Sequence, residues 1–111
     1  MEKMRQLLLK NFGTQDIFKI AAENNMYIVE ENLGNQIAGY YNTIGEKLIH
    51  VNSEIPRYCK NIVIAYFLLN NTNKCTQTDG ICFLMIKTLQ KFKELPQIMN
   101  YNLHKLHNLA R

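Results

Sequence analysis

The amino-acid sequence predicts an α+β domain: a small three-stranded, antiparallel-type sheet packed against a central buried helix, with further helices at both ends. Three observations lead there. Apolar residues recur at helical spacing in the first 21 residues and again towards the C-terminus. Residues 26–51 are instead short β-rich stretches separated by turn residues, and residues 62–69 are apolar without interruption.

Residues 1–12 place Met4, Leu7, Leu8 and Phe12 on one helical stripe and end at Gly13, a residue suited to the left-handed conformation that closes helices. Thr14 reads as the N-cap of a second helix, with Asp16 in its first turn and Ile17, Phe18, Ile20 and Ala21 as its buried stripe. Asn24 and Asn25 end it, because Asn tolerates the left-handed region. Residues 26–30 then form a strand, followed by a turn-prone Glu31-Asn32-Leu33-Gly34. Residues 36–43 and 47–51 read as an antiparallel hairpin turning near Gly45. In its second arm Leu48 and His50 point to one face, and Ile49 and Val51 to the other.

Ser53 caps the next helix, with Pro56 in its first turn. The run over residues 62–69 is apolar around nearly the whole circumference, which marks this as the central helix, and Asn70-Asn71-Thr72-Asn73 stops it. Thr78 caps a further helix running through Gly80 to about residue 95, with Ile81, Leu84, Met85 and Leu89 on one side and Pro96 beyond its end. A last amphipathic helix over residues 97–110 carries Met99, Leu103, Leu106 and Ala110 on one stripe. No repeat or Pro/Gly/Ser linker divides the 111 residues, so they read as a single domain.

Composition bounds the function. With 47% apolar residues the chain closes a core and does not resemble low-complexity disorder. The longest apolar run, eight residues, falls far short of the roughly 20 that span a bilayer, and the basic-then-apolar N-terminus lacks a signal-peptide cleavage site, so a cytoplasmic protein is expected. Cys59, Cys75 and Cys82 are an odd set with no Cys-x-x-Cys, which reads as ordinary buried thiols rather than a disulfide or zinc framework. Fourteen Asn, twelve Ile and many Lys have AT-rich codons, a lean towards a low-GC bacterium or its phage.

The formal charge of +4 is uneven. Residues 1–60 carry seven Lys/Arg against seven Asp/Glu, whereas residues 61–111 carry six against Asp79 and Glu94. Such a basic half attracts phosphate. Lys87, Lys91, Lys93, Lys105 and Arg111 are nevertheless spread along amphipathic stretches, where a solvated helix face is the plainer explanation.

Catalytic vocabulary is sparse. There is no phosphate-binding glycine loop, no Gly-x-Ser-x-Gly and no Cys with an evident His partner. His104 and His107 are three apart on the last helix but lie on its polar side with no further ligand near, so they read as solvated. His50 is a strand histidine without a second histidine close in sequence, for which a structural role is expected. Glu30 and Glu31 point to opposite sides of an extended chain and make a poor acid/base pair.

Three stretches carry a family resemblance: "IAAENNMYIVEENL" (20–33), "IAGYYN" (37–42) with its Gly followed by an aromatic, and "KLIHVNSEIP" (47–56), where a strand ends in Asn before a helix. Over about residues 14–89 the order of elements resembles the ImmA/IrrE family of metallopeptidase domains, common in phages, integrative elements and bacterial stress regulators. The family's next helix normally reads Ala-His-Glu-x-x-His, two zinc-binding imidazoles around a glutamate base. This sequence reads Ala65-Tyr66-Phe67-Leu68-Leu69-Asn70, so Tyr66 and Asn70 stand for the histidines and Phe67 for the glutamate. Asp79, before Gly80 and an apolar run, resembles an acidic position of the family's later helix, and one carboxylate does not make a metal site.

The resemblance therefore implies a pseudo-protease with no metal, no cofactor and no catalysis. Family members that remain active act on repressors of mobile elements. A degenerate relative is thus expected to bind a protein partner, either a repressor, as an antirepressor, or a host factor, as an inhibitor of host defence. An interaction surface is expected among Lys87, Lys91, Lys93, His104, Lys105, His107 and Arg111. The alternative is a small basic nucleic-acid-binding protein using the same C-terminal half, whose DNA affinity would fall steeply with salt.

Overall fold

The computed structural model describes residues 2–42, 45–72 and 81–85. Two helices, α1 (Glu2–Phe12) and α2 (Ile17–Glu23), precede strands β1 (Met26–Glu31), β2 (Ile37–Asn42) and β3 (Lys47–Asn52). Helix α3 (Arg57–Thr72) and strand β4 (Ile81–Met85) follow. The α+β class is thus as the sequence reads. The expected helix over 97–110 lies outside the described residues.

The helical spacing at the N-terminus is realised. Met4 and Leu8 are buried and Leu7 and Phe12 pack against the core. Gly13, at φ +75°, donates its N–H to the Leu9 carbonyl at 2.9 Å and closes α1. The cap of α2 is Asp16 rather than Thr14: Asp16 Oδ1 accepts from the N–H groups of Phe18 and Lys19, both at 3.2 Å, while Thr14 Oγ1 accepts the Asp16 N–H just before the helix. Phe18 is the second correction. Ile17, Ile20 and Ala21 form the buried face, and Phe18, about 100° round the helix from Ile17, is half exposed. Asn24 ends the helix and Asn25 takes the left-handed conformation, φ 57°.

The sheet is mixed, with strand order β1-β3-β2-β4. The hairpin of β2 and β3 is antiparallel as expected, but β1 pairs with β3 in parallel, Ile28 opposite Ile49 and Val29 opposite His50. Chain neighbours β1 and β2 are therefore not sheet neighbours: β2 lands one place further out and β3 returns into the gap. Asn52 enforces this crossing. Fully buried, it donates from Nδ2 to the carbonyls of Gly34 and Ile37, both at 2.9 Å, and accepts at Oδ1 from the N–H groups of Glu54 at 3.0 Å and Leu33 at 3.4 Å. One side chain thereby fastens the β1–β2 loop to the end of β3 and forms the turn into α3.

The same turn displaces Ser53 from its expected capping role. Its N–H bonds the Glu31 carbonyl at 2.9 Å, and α3 begins after Pro56, whose carbonyl accepts the Lys60 N–H at 3.0 Å. Over residues 81–85, the described part of the helix expected over 78–95, the chain is instead strand β4. It pairs antiparallel with β2, Tyr41 opposite Cys82 and Tyr40 opposite Phe83. A five-residue apolar run fits either period, and the otherwise open edge of β2 supplies backbone partners that decide for a strand.

Helix α3 lies against β2 and β3, with α1 and α2 against its flank. Its residues 62–69 are all buried except the half-buried Tyr66, and they meet Tyr41, Ile49 and Val51 from the sheet. Close approach is possible because β2 carries Gly39. A Cβ there would stand 2.6 Å from the His50 carbonyl oxygen and 2.8 Å from Val63 Cγ1. Among the described residues no helix is long and apolar enough to cross a membrane.

Candidate functional site

The positions that resemble a metallopeptidase's zinc helix fall on the middle of α3. Ala65 is buried beside α1. Phe67 is 1% exposed, its ring 6.3 Å from that of Tyr41 and close beneath Gly39. Tyr66 meets Phe67 edge-on at 5.6 Å, and burial pushes its phenol above the ordinary value of 10.0. Asn70 follows Tyr66 by one helical turn in the same element.

These groups do not fit the zinc that the family's usual Ala-His-Glu-x-x-His helix holds. Zinc takes imidazole, thiolate or carboxylate donors. A phenol held protonated by burial is a poor ligand, and a phenyl ring in the core neither binds metal nor accepts a proton. Among the described residues no three His, Cys, Asp or Glu side chains gather closely enough to hold a metal ion. Asp79, Lys87, Lys91, Lys93, His104, Lys105, His107 and Arg111 lie outside the described residues.

Sequence reasoning missed the polar cluster on the opposite face of the sheet. The parallel register places His50 beside Val29, so Glu31, two residues along the same face of β1, reaches the imidazole. Glu31 Oε1 lies 2.6 Å from His50 Nδ1 and accepts from Tyr40 Oη at 3.3 Å. The Tyr40 ring, opposite His50 in the antiparallel register, stacks on the imidazole at 4.2 Å and 9°. Burial, then the Glu31 charge and hydrogen bond, push the Tyr40 phenol upward. A carboxylate on Nδ1 fixes the orientation of the ring, and the stack holds its plane. Here the group acts as a strut across β1, β3 and β2. Its only sequence trace is a Glu and a His near the ends of two strands, which becomes meaningful once those strands are known to be parallel.

Glu30 points the other way, as its place next to Glu31 in a strand requires. Arg57 Nη2 spans both its oxygens at 2.9 and 3.1 Å and Lys60 Nζ lies 2.9 Å away. The hydrogen bond from Lys60, then that from Arg57, hold its carboxyl below the ordinary 4.5. Two neighbouring carboxylates are thus committed to separate structural jobs, tying β1 to β3 on one face and β1 to α3 on the other.

No protein-family model, no curated protein and no solved structure matches this chain.

Proposed function

We propose that this chain is a non-catalytic protein-binding domain on a degenerate metallopeptidase scaffold of the ImmA/IrrE type. In this reading it is a phage or mobile-element regulator that binds a repressor or inhibits a host protein in the bacterial cytoplasm. The observation that carries the reading is the middle of α3. Where an active relative would keep a glutamate base and a first histidine, Phe67 is part of the core against Tyr41 and Tyr66 is a half-buried phenol. The order α2, β1, β2, β3, α3 around those positions supports the reading, and strand β4 at residues 81–85, where the family's later helix is expected, departs from it. A scaffold kept without its chemistry is suited to binding.

Three measurements on the full chain test this. Elemental analysis of protein purified with zinc in the medium is expected to find far less than one zinc per chain. Incubation with a captured repressor is expected to leave that repressor intact. Affinity capture from the source cell, followed by calorimetry with the purified partner, is expected to give saturable binding. Stoichiometric zinc or cleavage of the partner overturns the proposal. Tight, steeply salt-dependent DNA binding in the absence of any protein partner replaces it with the nucleic-acid reading.

A further inference from the structure

Helices α1 and α3 do not close on each other along their whole length. Between them lies an open groove of about 220 Å³ whose floor is apolar, with Met4 and Leu8 from α1 and Ile62 and Ala65 from α3. Pockets that enclose a small molecule or cofactor run to about 300–1,000 Å³. A groove smaller than that and open to solvent suits one anchoring side chain of a larger partner, the usual form of an interface hot spot.

Its walls specify more. Arg5 lines the groove, no carboxylate does, and Arg5 makes no ion pair among the described residues. Arg57 and Lys60, by contrast, are both held by Glu30. Tyr58, on the α3 wall, is 55% exposed, a large aromatic of the kind enriched at interfaces. Asn61 lines the same wall, and its Oδ1 is buried with no hydrogen-bond partner. Rotation of that amide towards the groove lets an N–H of an occupant satisfy it. Nucleic acid fits poorly, since it binds by neutralising several phosphates and Arg5 is the one cation among the described residues that line the groove.

We propose that the α1–α3 groove is the docking site for an acidic peptide segment of the protein partner, one apolar side chain seated on the floor and a neighbouring carboxylate on Arg5. The inference rests on the protein-binding function proposed above and adds where, and to what chemistry, the chain binds.

The test uses the ¹⁵N-labelled full chain and three blocked peptides: acetyl-Asp-Glu-Leu-Leu-Asp-Glu-amide, the same peptide with both leucines replaced by alanine, and one with its acids replaced by lysine. The leucine peptide is expected to give saturable amide shifts at Arg5, Leu8, Ile62 and Ala65, and the other two are expected to give none. Arg5→Glu, at an exposed position, is expected to keep the dispersed spectrum and to weaken the leucine peptide about tenfold or more. Tyr58→Ala is expected to weaken it in the same assay. Absence of groove shifts, binding indifferent to Arg5→Glu, or the same shifts raised by a DNA duplex overturns the proposal. A purified partner that binds the Arg5→Glu chain as tightly as the parent removes the groove and leaves the binding function standing. That function itself fails if no protein partner binds the unaltered chain, or by the zinc and cleavage outcomes given above.

Discussion

Replacing Gly39 by alanine tests the closest approach in the fold. In an unobstructed strand, Gly→Ala stabilises by about 0.4–1 kcal/mol, because the unfolded chain has less freedom to lose. At position 39 the new methyl would lie 2.6 Å from the His50 carbonyl oxygen and 2.8 Å from Val63 Cγ1, both well inside van der Waals contact. The first obstacle is backbone of β3, held between β1 and β2, and cannot retreat. The second can move only if α3 lifts from the sheet. Overpacking of this kind costs about 1–3 kcal/mol, and a backbone obstacle puts Gly39→Ala at the upper end of that range. The expected net loss, about 2 kcal/mol, corresponds to a fall in Tm of roughly 6–10 °C for a domain of this size. Urea titration and thermal melting followed by circular dichroism measure both. In a Val63→Ala background one contact disappears and the other stays, so the alanine should still destabilise, but by about 0.5–1.5 kcal/mol less. An unchanged or raised Tm for Gly39→Ala, or strict additivity with Val63→Ala, refutes the close packing of α3 on β2.

Asn52→Ala leaves the carbonyls of Gly34 and Ile37 and the Glu54 N–H without their partner; because Gly34 and Glu54 are exposed, water takes up part of that loss, and the cost should be about 1–3 kcal/mol in urea titration. Asn52→Asp, which turns an oxygen on those two carbonyls, should fare no better, whereas an ordinary surface position would tolerate either change. Glu30→Gln should cost less than about 1 kcal/mol at neutral pH, since the Arg57 and Lys60 pairs are near the surface. Because the folded carboxyl is held below 4.5, its contribution is present above that pH and is lost as pH falls through the folded value; stabilities of parent and variant, measured from pH 7 down to 3, should therefore converge at the acid end. The Cys59 thiol is buried and burial raises its pKa, so alkylation at this residue, followed by mass spectrometry of the peptide, should proceed only as fast as the chain opens.

Elements whose signal is local are legible in the sequence. The stripe of Met4 and Leu8, the Gly13 stop, the β2–β3 hairpin and the apolar α3 all follow from spacing over short stretches of chain, and each occurs. The features that escape the sequence need a partner from elsewhere. Parallel pairing of β1 with β3 depends on Asn52 reaching back 15 to 19 positions to hold the intervening loop, and nothing near β1 announces it. Strand β4 is apolar at every position, so its period is undefined until the β2 edge offers hydrogen bonds. Phe18 reads as a core residue because it is apolar, although its angle on α2 puts it outside.

The candidate site divides the same way. The apolar character of Tyr66 and Phe67 on α3 can be read from the short string around them, because a helix fixes which residues share a face. The Glu31–His50–Tyr40 strut cannot, because it is assembled by register between three strands. The fold also explains why a phenylalanine suits position 67. That position lies beneath Gly39 and beside Tyr41, where an ionised carboxylate would be desolvated without a partner, whereas a phenyl ring gains about 1.5–3 kcal/mol from full burial. The space beneath β2 thus selects an apolar side chain at this position. The helix then serves the sheet, and Asn52 and the Glu30 ion pairs hold its N-terminal end.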